Sequence, residues 1–242
     1  MKCCVFQPRL NSSTFLSMKI SANHPLLVSA ISLFLSFPAT ASMTWVGPTW
    51  NVSTAIPDND DVGLTDTRNI SPSGITGIES VTLTLNLTGG WNGDLFAYVV
   101  HGSGFSVLLN RPGRSVSNPD GSATVGMSIA FDDSAVSDIH TAIPMSGGSV
   151  TGTYQPDGRT TDPHFTLNTD ARPAMLSAFT GLDPSGSWTL FIADQSPGAQ
   201  STLQSWSLTI TGIPEPSTAL LAALGCIPLM QRRRTHPLNR FA

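Results

Sequence analysis

The chain has 242 residues and a formal net charge of −4, and its 12% of charged residues, 21 glycines and 18 prolines are typical of an all-β protein with short strands and many turns. Residues 42–214 contain five arginines, no lysine and fifteen acidic residues, a local formal charge of −10, which excludes nucleic-acid binding because nothing there would neutralise phosphates. The cysteines (Cys3, Cys4 and Cys226) lie outside this part, which excludes a disulfide framework, a thiolate metal site or a cysteine nucleophile within it.

The N-terminal region is typical of a secretory signal peptide. Lys19 provides a positive charge, residues 26–37 form an apolar stretch, and Ala39 and Ala41 form a small-residue cleavage site. The apolar stretch is too short to span a membrane as a stable helix. We therefore expect export, with a mature chain that begins at Ser42.

The point at which translation starts is a separate expectation. Residues 1–17 add nothing to the signal-peptide pattern, whereas Met18 stands directly before the positive residue. We expect Met18 to be the true start, and the alternative is a longer polar region at the front of the same signal. In either case the signal region covers residues 1–41.

Strand signals recur through the body of the chain, which we predict to be one domain over residues 56–212 after a lead-in at 42–55. Residues 78–88 alternate apolar and polar side chains and predict a half-buried strand. Residues 94–100 are apolar on both faces and predict an interior strand, which a glycine turn connects to 105–110 as a hairpin. Further strands are predicted at 127–131, 187–193 and 203–210, with Leu203 out of phase and indicating a bulge.

No stretch of the body has a convincing helical period, so the sequence predicts an all-β sandwich. Residues 81–113 and 179–210, together with the Ile56–Asp58 tripeptide, resemble the P domain, or Homo B domain, of subtilisin-like proprotein convertases. The resemblance implies a jelly-roll-like β-sandwich, and only the long Ser-, Thr- and Gly-rich middle departs from the family pattern. The residues that match are Trp91, Gly93, Asp94, Leu95, Arg111, Gly113, Gly186, Trp188, Leu190, Asp194, Ser205, Trp206 and Leu208.

These motif residues are expected to serve folding. Trp188 and Trp206 have the large apolar area that anchors a sandwich core. The glycines around Trp91 permit a tight turn between two long strands.

The sequence predicts no catalysis. In the convertase family the P domain follows a separate domain that carries an Asp-His-Ser triad, and this chain has no room for one and no G-x-S-x-G motif. His101, His140 and His164 are isolated, in segments predicted as loops, and lack the spacing of zinc ligands. Serine endopeptidase activity would belong to the neighbouring domain of the convertases.

The one candidate metal site is acidic. Asp58, Asp60 and Asp61 lie within five residues, and Asp94 and Asp194 flank two predicted strands. Clustered loop carboxylates supply the oxygen ligands that calcium requires, although the spacing is not that of an EF-hand. Two interpretations stay open: solvated loop acids with no required cofactor, or a calcium ion that braces a domain without disulfides.

The C-terminal region, residues 213–242, resembles a PEP-CTERM sorting signal. Pro214, Glu215 and Pro216 precede an apolar segment at 217–230 and the arginine cluster Arg232, Arg233 and Arg234. The apolar segment is shorter than the roughly twenty residues of a transmembrane helix, it contains Pro228, and eight residues follow the arginines.

The resemblance implies an exosortase that recognises the Pro-Glu-Pro triplet, with transient inner-membrane contact of the precursor. The alternatives are a C-terminal core strand and an ordinary tail anchor.

Together these observations predict an exported, non-catalytic P-domain protein of a Gram-negative-type bacterium, sorted to the cell surface, the outer membrane or an extracellular matrix with exopolysaccharide. One rival function is an accessory module of a separate subtilisin-like protease. Another is a carbohydrate-binding jelly roll in which Trp45, Trp50 or Trp91 stacks on sugars.

Overall fold

The protein is a two-sheet β-sandwich in the computed structural model, which describes residues 42–215. The predicted all-β sandwich is therefore confirmed. Its short helical turns are the α-helix α1 (Ile139–Ala142) and 3-10 turns at Asn92–Asp94 and Leu176–Phe179. The strands are β1 (Met43–Val46), β2 (Trp50–Ala55), β3 (Asp60–Ile70), β4 (Ile75–Trp91), β5 (Leu95–His101), β6 (Gly104–Asn110), β7 (Ala123–Phe131), β8 (Ser146–Gly147), β9 (Val150–Tyr154), β10 (Gly186–Asp194) and β11 (Ser201–Pro214).

The larger sheet has the order β1-β11-β4-β7-β8, with β2 also paired to β11 and β9 to β7. The smaller sheet has the order β3-β10-β5-β6. Pairing is antiparallel except where β8 and β9 run parallel to β7. Because β1 and β2 both pair with β11, the segment at 42–55 that the sequence set apart as a lead-in forms part of the larger sheet.

Several sequence predictions of local structure are confirmed. The segment at 78–88 lies within β4, whose alternate residues are buried. Strands β5 and β6 form the predicted hairpin, and β5 is an interior strand. The bulge predicted near Leu203 appears as a register shift between Leu203 and Ser205.

Two tryptophans anchor the core from opposite sheets. The side chains of Trp188 on β10 and Trp206 on β11 are both fully buried. Each indole N–H also has an acceptor: the Trp188 nitrogen donates to the carbonyl oxygen of Pro184 at 3.0 Å, and the Trp206 nitrogen donates to the Asp66 carboxylate at 2.6 Å. A buried indole contributes a large apolar area, and its N–H usually finds a partner, so the burial of both rings agrees with the predicted anchoring role, which stays a prediction.

The proposed signal peptide and the proposed C-terminal sorting signal lie largely outside the described residues. These are the signal region with Met18, Ala39 and Ala41, and the C-terminal part with Pro216, the apolar segment 217–230 and Arg232, Arg233 and Arg234. Within residues 42–215, no helix has the length and apolar character needed to cross a membrane.

Candidate functional site

A cleft of about 400 Å³ lies where the turn after β4 meets two loops. The turn contributes Trp91 and Asp94, and Gly93 between them packs against the loop at 120–122. A Cβ atom at Gly93 would lie 2.7 Å from the carbonyl oxygen of Asp120, closer than real side chains approach, so only glycine lets the two segments meet. The lining residues are Trp91, Asp94, Asp120, Gly121, Ser122, Ala123, Ser196 and Pro197.

Trp91 is the one exposed ring of the three predicted to stack on sugars. It is 46% exposed, and it lies opposite Val125 on the neighbouring strand. Trp45 and Trp50 are instead packed against the core, with the Trp50 ring 4.6 Å from that of Trp206. Trp91 is therefore the most exposed of these three rings, whereas Trp45 and Trp50 are half-buried.

Asp94 forms the floor of the cleft and contacts Arg111. Its carboxylate oxygen Oδ1 lies 3.5 Å from the Arg111 guanidinium, which also donates to the Gly93 carbonyl oxygen at 3.1 Å and the Ser196 hydroxyl at 2.8 Å. The second oxygen, Oδ2, is buried and has no hydrogen-bond partner. Burial raises the pKa of Asp94, and the positive charge of Arg111 opposes that rise.

Asp194 is the second buried carboxyl group of this region. It is fully buried at the end of β10, opposite Leu95 on β5. Its Oδ1 accepts a hydrogen bond from the Ser196 backbone at 3.2 Å, whereas its Oδ2 has no partner. Burial, reinforced by the negative charges of Asp94 and Asp58, raises the pKa of Asp194 to about 6.

The structure separates the acids of the predicted calcium site. Asp58 accepts hydrogen bonds from the Gly198 backbone at 3.1 and 3.2 Å, and its charge acts on both buried carboxyls. Asp60 instead accepts from the Val62 backbone at 2.8 Å, and Asp61 lines a different cleft.

Across the described range, no three acidic, histidine or cysteine side chains are grouped closely enough to hold one metal ion. The unpartnered oxygens of Asp94 and Asp194 are of the chemical type that calcium prefers, but two carboxyl groups fall short of the roughly six to eight oxygen ligands that calcium takes. Calcium binding through the five predicted aspartates stays a prediction, and the grouping of the described side chains does not support it.

The loop positions predicted for two histidines are wrong. His101 ends strand β5 and stacks on Trp188 at 4.2 Å, with carbonyl oxygens 3.0 and 2.7 Å from its ring nitrogens. His140 lies in helix α1 and is buried. The glycine and threonine that follow them indicated loops in the sequence, but buried hydrogen bonds decide their positions. His164 does lie in an exposed loop.

His140 belongs to a buried ionic network that the sequence did not indicate. Its Nδ1 lies 2.7 Å from the Asp157 carboxylate, and its Nε2 donates to the Arg114 carbonyl oxygen at 2.8 Å. Burial alone would lower the pKa of His140, but the hydrogen bond and charge of Asp157 outweigh burial and raise it. Arg159 bridges Asp157 and Asp138 at 3.1 and 2.9 Å, so the network ties the polar middle of the chain to the sandwich.

The fold defines a β-sandwich module. It has one fully buried tryptophan in each sheet and a structured turn around Trp91. Residues 151–210 match the model of the proprotein convertase P-domain family. That range contains most of β9, all of β10 and most of β11, with both buried tryptophans, so the match supports the P domain predicted from the sequence motifs.

Solved structures similar to this chain include two of an Aeromonas sobria serine protease, and no curated protein matches the chain. One is the serine protease of Aeromonas sobria in complex with its chaperone, with 16% identity, a TM-score of 0.42, and coverage of 78% of this chain and 29% of that one. The other is the Aeromonas sobria serine protease, with 15% identity, a TM-score of 0.39, and coverage of 71% and 27%. The chain thus spans less than a third of either structure.

Proposed function

We propose that this protein is an exported, non-catalytic module of the P-domain type that an exosortase-like enzyme processes at its C-terminus and delivers to the cell surface or extracellular matrix. The family match over residues 151–210 supports the P-domain part of the proposal, and the sorting part rests on the Pro-Glu-Pro triplet, the apolar segment and the arginine cluster in the sequence. The match falls on the closing strands of a sandwich that is complete within residues 42–215, and a P domain is an accessory rather than a catalytic domain.

The roles of the histidines support a non-catalytic function. A serine hydrolase needs a histidine that accepts a proton from the nucleophilic hydroxyl. His101 faces two backbone carbonyl oxygens, and His140 is held between Asp157 and a carbonyl oxygen. Among the described residues, no histidine ring is hydrogen-bonded to a serine or threonine hydroxyl.

The proposed sorting signal begins where the sandwich ends. Pro214 is the last residue of β11 and pairs with Ile75, and the Glu215 backbone donates to the Gly74 carbonyl oxygen at 2.9 Å. No spacer therefore separates the folded body from the Pro-Glu-Pro triplet. An enzyme that binds the triplet within a membrane would have to separate Pro214 and Glu215 from the start of β4. The sandwich would then lie against the membrane surface.

Intact-mass measurement of the exported protein tests both ends. It would be expressed in a bacterium that has an exosortase and in a matched strain without one. We expect a mature chain that starts at Ser42 in both strains, and loss of the C-terminal segment only where the exosortase is present. Glu215→Gln should block that loss, whereas Glu79→Gln, which changes the charge at an exposed glutamate of β4, should not. C-terminal cleavage that ignores both the exosortase and Glu215→Gln would refute the sorting role, and retention of Met18 to Ala41 would refute export.

A second function is favoured by the family match itself. A P-domain module could act as an accessory to a separate subtilisin-like protease, contacting it without a covalent link. Co-purification of such a protease with the affinity-tagged protein, together with a gain in the thermal stability of the protease, would support this function. A protease that neither co-purifies nor gains stability would exclude it.

A further inference from the structure

The outward face of the smaller sheet carries a group of aromatic rings. Along β5, alternate residues point into the core and are fully buried, as Leu95, Ala97 and Val99 are. The residues between them face outward, and they include Phe96 and Tyr98, both partly exposed.

Neighbouring strands extend this group. Phe191 of β10 lies directly opposite Tyr98 in the strand register. Phe105 of β6 is 37% exposed, and its ring centroid lies 5.3 Å from that of Tyr98. Aromatic side chains on one face thus run across three adjacent strands.

Three of these rings form a corner. Tyr98 and Phe191 are stacked, with centroids 4.7 Å apart and planes 18° from parallel. Phe96 stands steeply to both, at 60° to Tyr98 and 65° to Phe191, with centroids 5.9 and 6.3 Å away. We call Phe96, Tyr98 and Phe191 the aromatic corner.

The aromatic corner opens into a cleft of about 240 Å³ that also contains acidic side chains. Asp61, at the start of β3, and Asp162, in the loop that carries His164, both line the cleft and are exposed. The Asp162 carboxylate accepts a hydrogen bond from the His164 backbone at 2.9 Å, which fixes its loop. The cleft therefore combines aromatic faces with two carboxylates.

The positive charges of the described part are all used internally. Residues 42–215 contain no lysine, and each of the five arginines donates to an acceptor of the protein itself. His164 also lines the cleft, and the Arg114 guanidinium donates to the His164 carbonyl oxygen at 2.5 Å. Within residues 42–215, no lysine and no arginine without an acceptor is left to balance the carboxylates around the aromatic corner. The arginine contacts are Arg68 to Asp66, Arg111 to Gly93 and Ser196, Arg114 to Thr166 and Pro119, Arg159 to Asp138 and Asp157, and Arg172 to Asp157 and Gln155.

We propose that the aromatic corner, with Asp61 and Asp162, binds an arginine or lysine side chain from a basic peptide segment of a partner protein. A cation over an aromatic face is attracted by the negative charge density of the ring, and the attraction grows as water is removed. The apolar stem of a long basic side chain packs against the second wall of the corner, while the carboxylates complement its charge. A neutral sugar can donate its hydroxyl groups to these carboxylates, but it carries no charge for the surrounding negative field to attract. The proposal goes beyond the proposed function and does not depend on C-terminal processing.

Titration of the purified full-length chain with an oligo-arginine peptide, followed by isothermal calorimetry at low salt, tests this inference. Tyr98→Phe keeps the aromatic face and should bind as the wild type does. Tyr98→Leu keeps the apolar volume but removes the face, and should weaken binding about tenfold. Asp61→Asn should weaken it about threefold. Glu79→Gln removes the same charge from an exposed position on the other sheet and should leave the affinity unchanged.

Several results would overturn the proposal. Equal weakening by Asp61→Asn and Glu79→Gln would show that the peptide responds only to the general negative field. Unchanged binding by Tyr98→Leu, or no binding even to the wild type, would show that the rings merely stabilise the sheet as cross-strand pairs. Tighter binding of a neutral oligosaccharide such as maltohexaose than of the peptide would assign the cleft to carbohydrate. If Tyr98→Leu fails to fold, Asp61→Asn and Tyr98→Phe still decide the outcome.

Discussion

Replacing Asp194 with asparagine should stabilise the protein at neutral pH in the absence of calcium. The carboxyl group is fully buried and its Oδ2 has no hydrogen-bond partner, so ionisation places an uncompensated charge at the end of β10. Asparagine has the same shape, keeps an acceptor for the Ser196 backbone and has no charge. The variant Asp194→Asn therefore removes the penalty of ionisation. Its amide N–H groups replace an oxygen that has no hydrogen-bond partner, which adds a cost that does not change with pH.

The size and pH range of the effect follow from the pKa of Asp194, which rises from 3.8 to about 6 on folding. A raised carboxyl pKa means that the folded state binds more protons than the unfolded state between these two values. The stability due to this group is fully present below pH 3.8 and is lost as the pH rises through about 6. A tenfold change in proton affinity corresponds to about 1.4 kcal/mol, so the wild type should lose about 3 kcal/mol relative to Asp194→Asn across this pH range.

Urea denaturation in EDTA, repeated from about pH 4 to about pH 8, measures this difference. The matched control is Asp61→Asn, the same chemical change at an exposed carboxylate, which should follow the wild-type profile. If the stability difference between the wild type and Asp194→Asn is the same at both ends of the pH range, ionisation of Asp194 costs the folded state no free energy. That result would refute a raised pKa of Asp194.

Three further predictions concern the core, the metal and the buried histidine. Trp188→Ala or Trp206→Ala should cost about 3–5 kcal/mol in chemical denaturation, and a cost below about 1 kcal/mol at both sites would contradict their burial. If calcium binds, a hundredfold excess over its Kd should raise the free energy of unfolding of the wild type by about 2.7 kcal/mol relative to EDTA. The site would be ruled out if magnesium at matched ionic strength had the same effect, or if the calcium effect survived Asp94→Ala. Since the pKa of His140 is raised above 6.5 by Asp157, its contribution to stability is complete below that value and is lost as the pH rises through the folded pKa. His140→Gln should remove that alkaline loss of stability from a series of denaturation curves, and an unchanged alkaline profile would show that the histidine is neutral.

The central strands were predictable because their sequences report burial directly. Residues 78–88 alternate so regularly that β4 and its buried face follow from the pattern alone. Strands β1, β2 and β3 were not predicted. Strands β1 and β2 are short, β3 is rich in Asp and Thr, and the residues of all three are exposed or half-buried, so none shows a clear buried face. Their extended form comes from pairing with β11 and β10, which no local signal reports.

The sequence predicted individual acidic residues of the candidate site, but it did not predict which of them the fold brings together. Asp94 and Asp194 stand out because each flanks an apolar strand, but the approach of Asp58, and the separation of Asp60 and Asp61, depend on loops that meet only in the fold. Arg111 was recognised only as a motif residue. Its left-handed backbone, with φ of 52°, and its reach to Asp94 have no signature in the sequence.

The pattern of residues 94–100 also indicated the aromatic corner. Residues 94–100 are apolar on both faces, and this predicted an interior strand, which β5 is. Interior position within a sheet does not require burial of both faces, because the outer face of an antiparallel sheet meets solvent. Phe96 and Tyr98 were therefore a sign of an exposed aromatic surface as well as of a strand.

The position of β11 also determines when this protein can fold. It is the last strand of the described chain, and it lies between β4 on one side and β1 and β2 on the other, so that Met43 pairs with Gly212. Pairings between such distant parts of a chain form slowly and only after both partners exist. The larger sheet therefore closes only after synthesis of the body is complete, and under the proposed export the chain would pass through a translocation channel before this sheet forms. Because β11 ends at Pro214 and the Glu215 backbone donates to the Gly74 carbonyl oxygen, the event that completes the fold also fixes the first two residues of the proposed processing triplet.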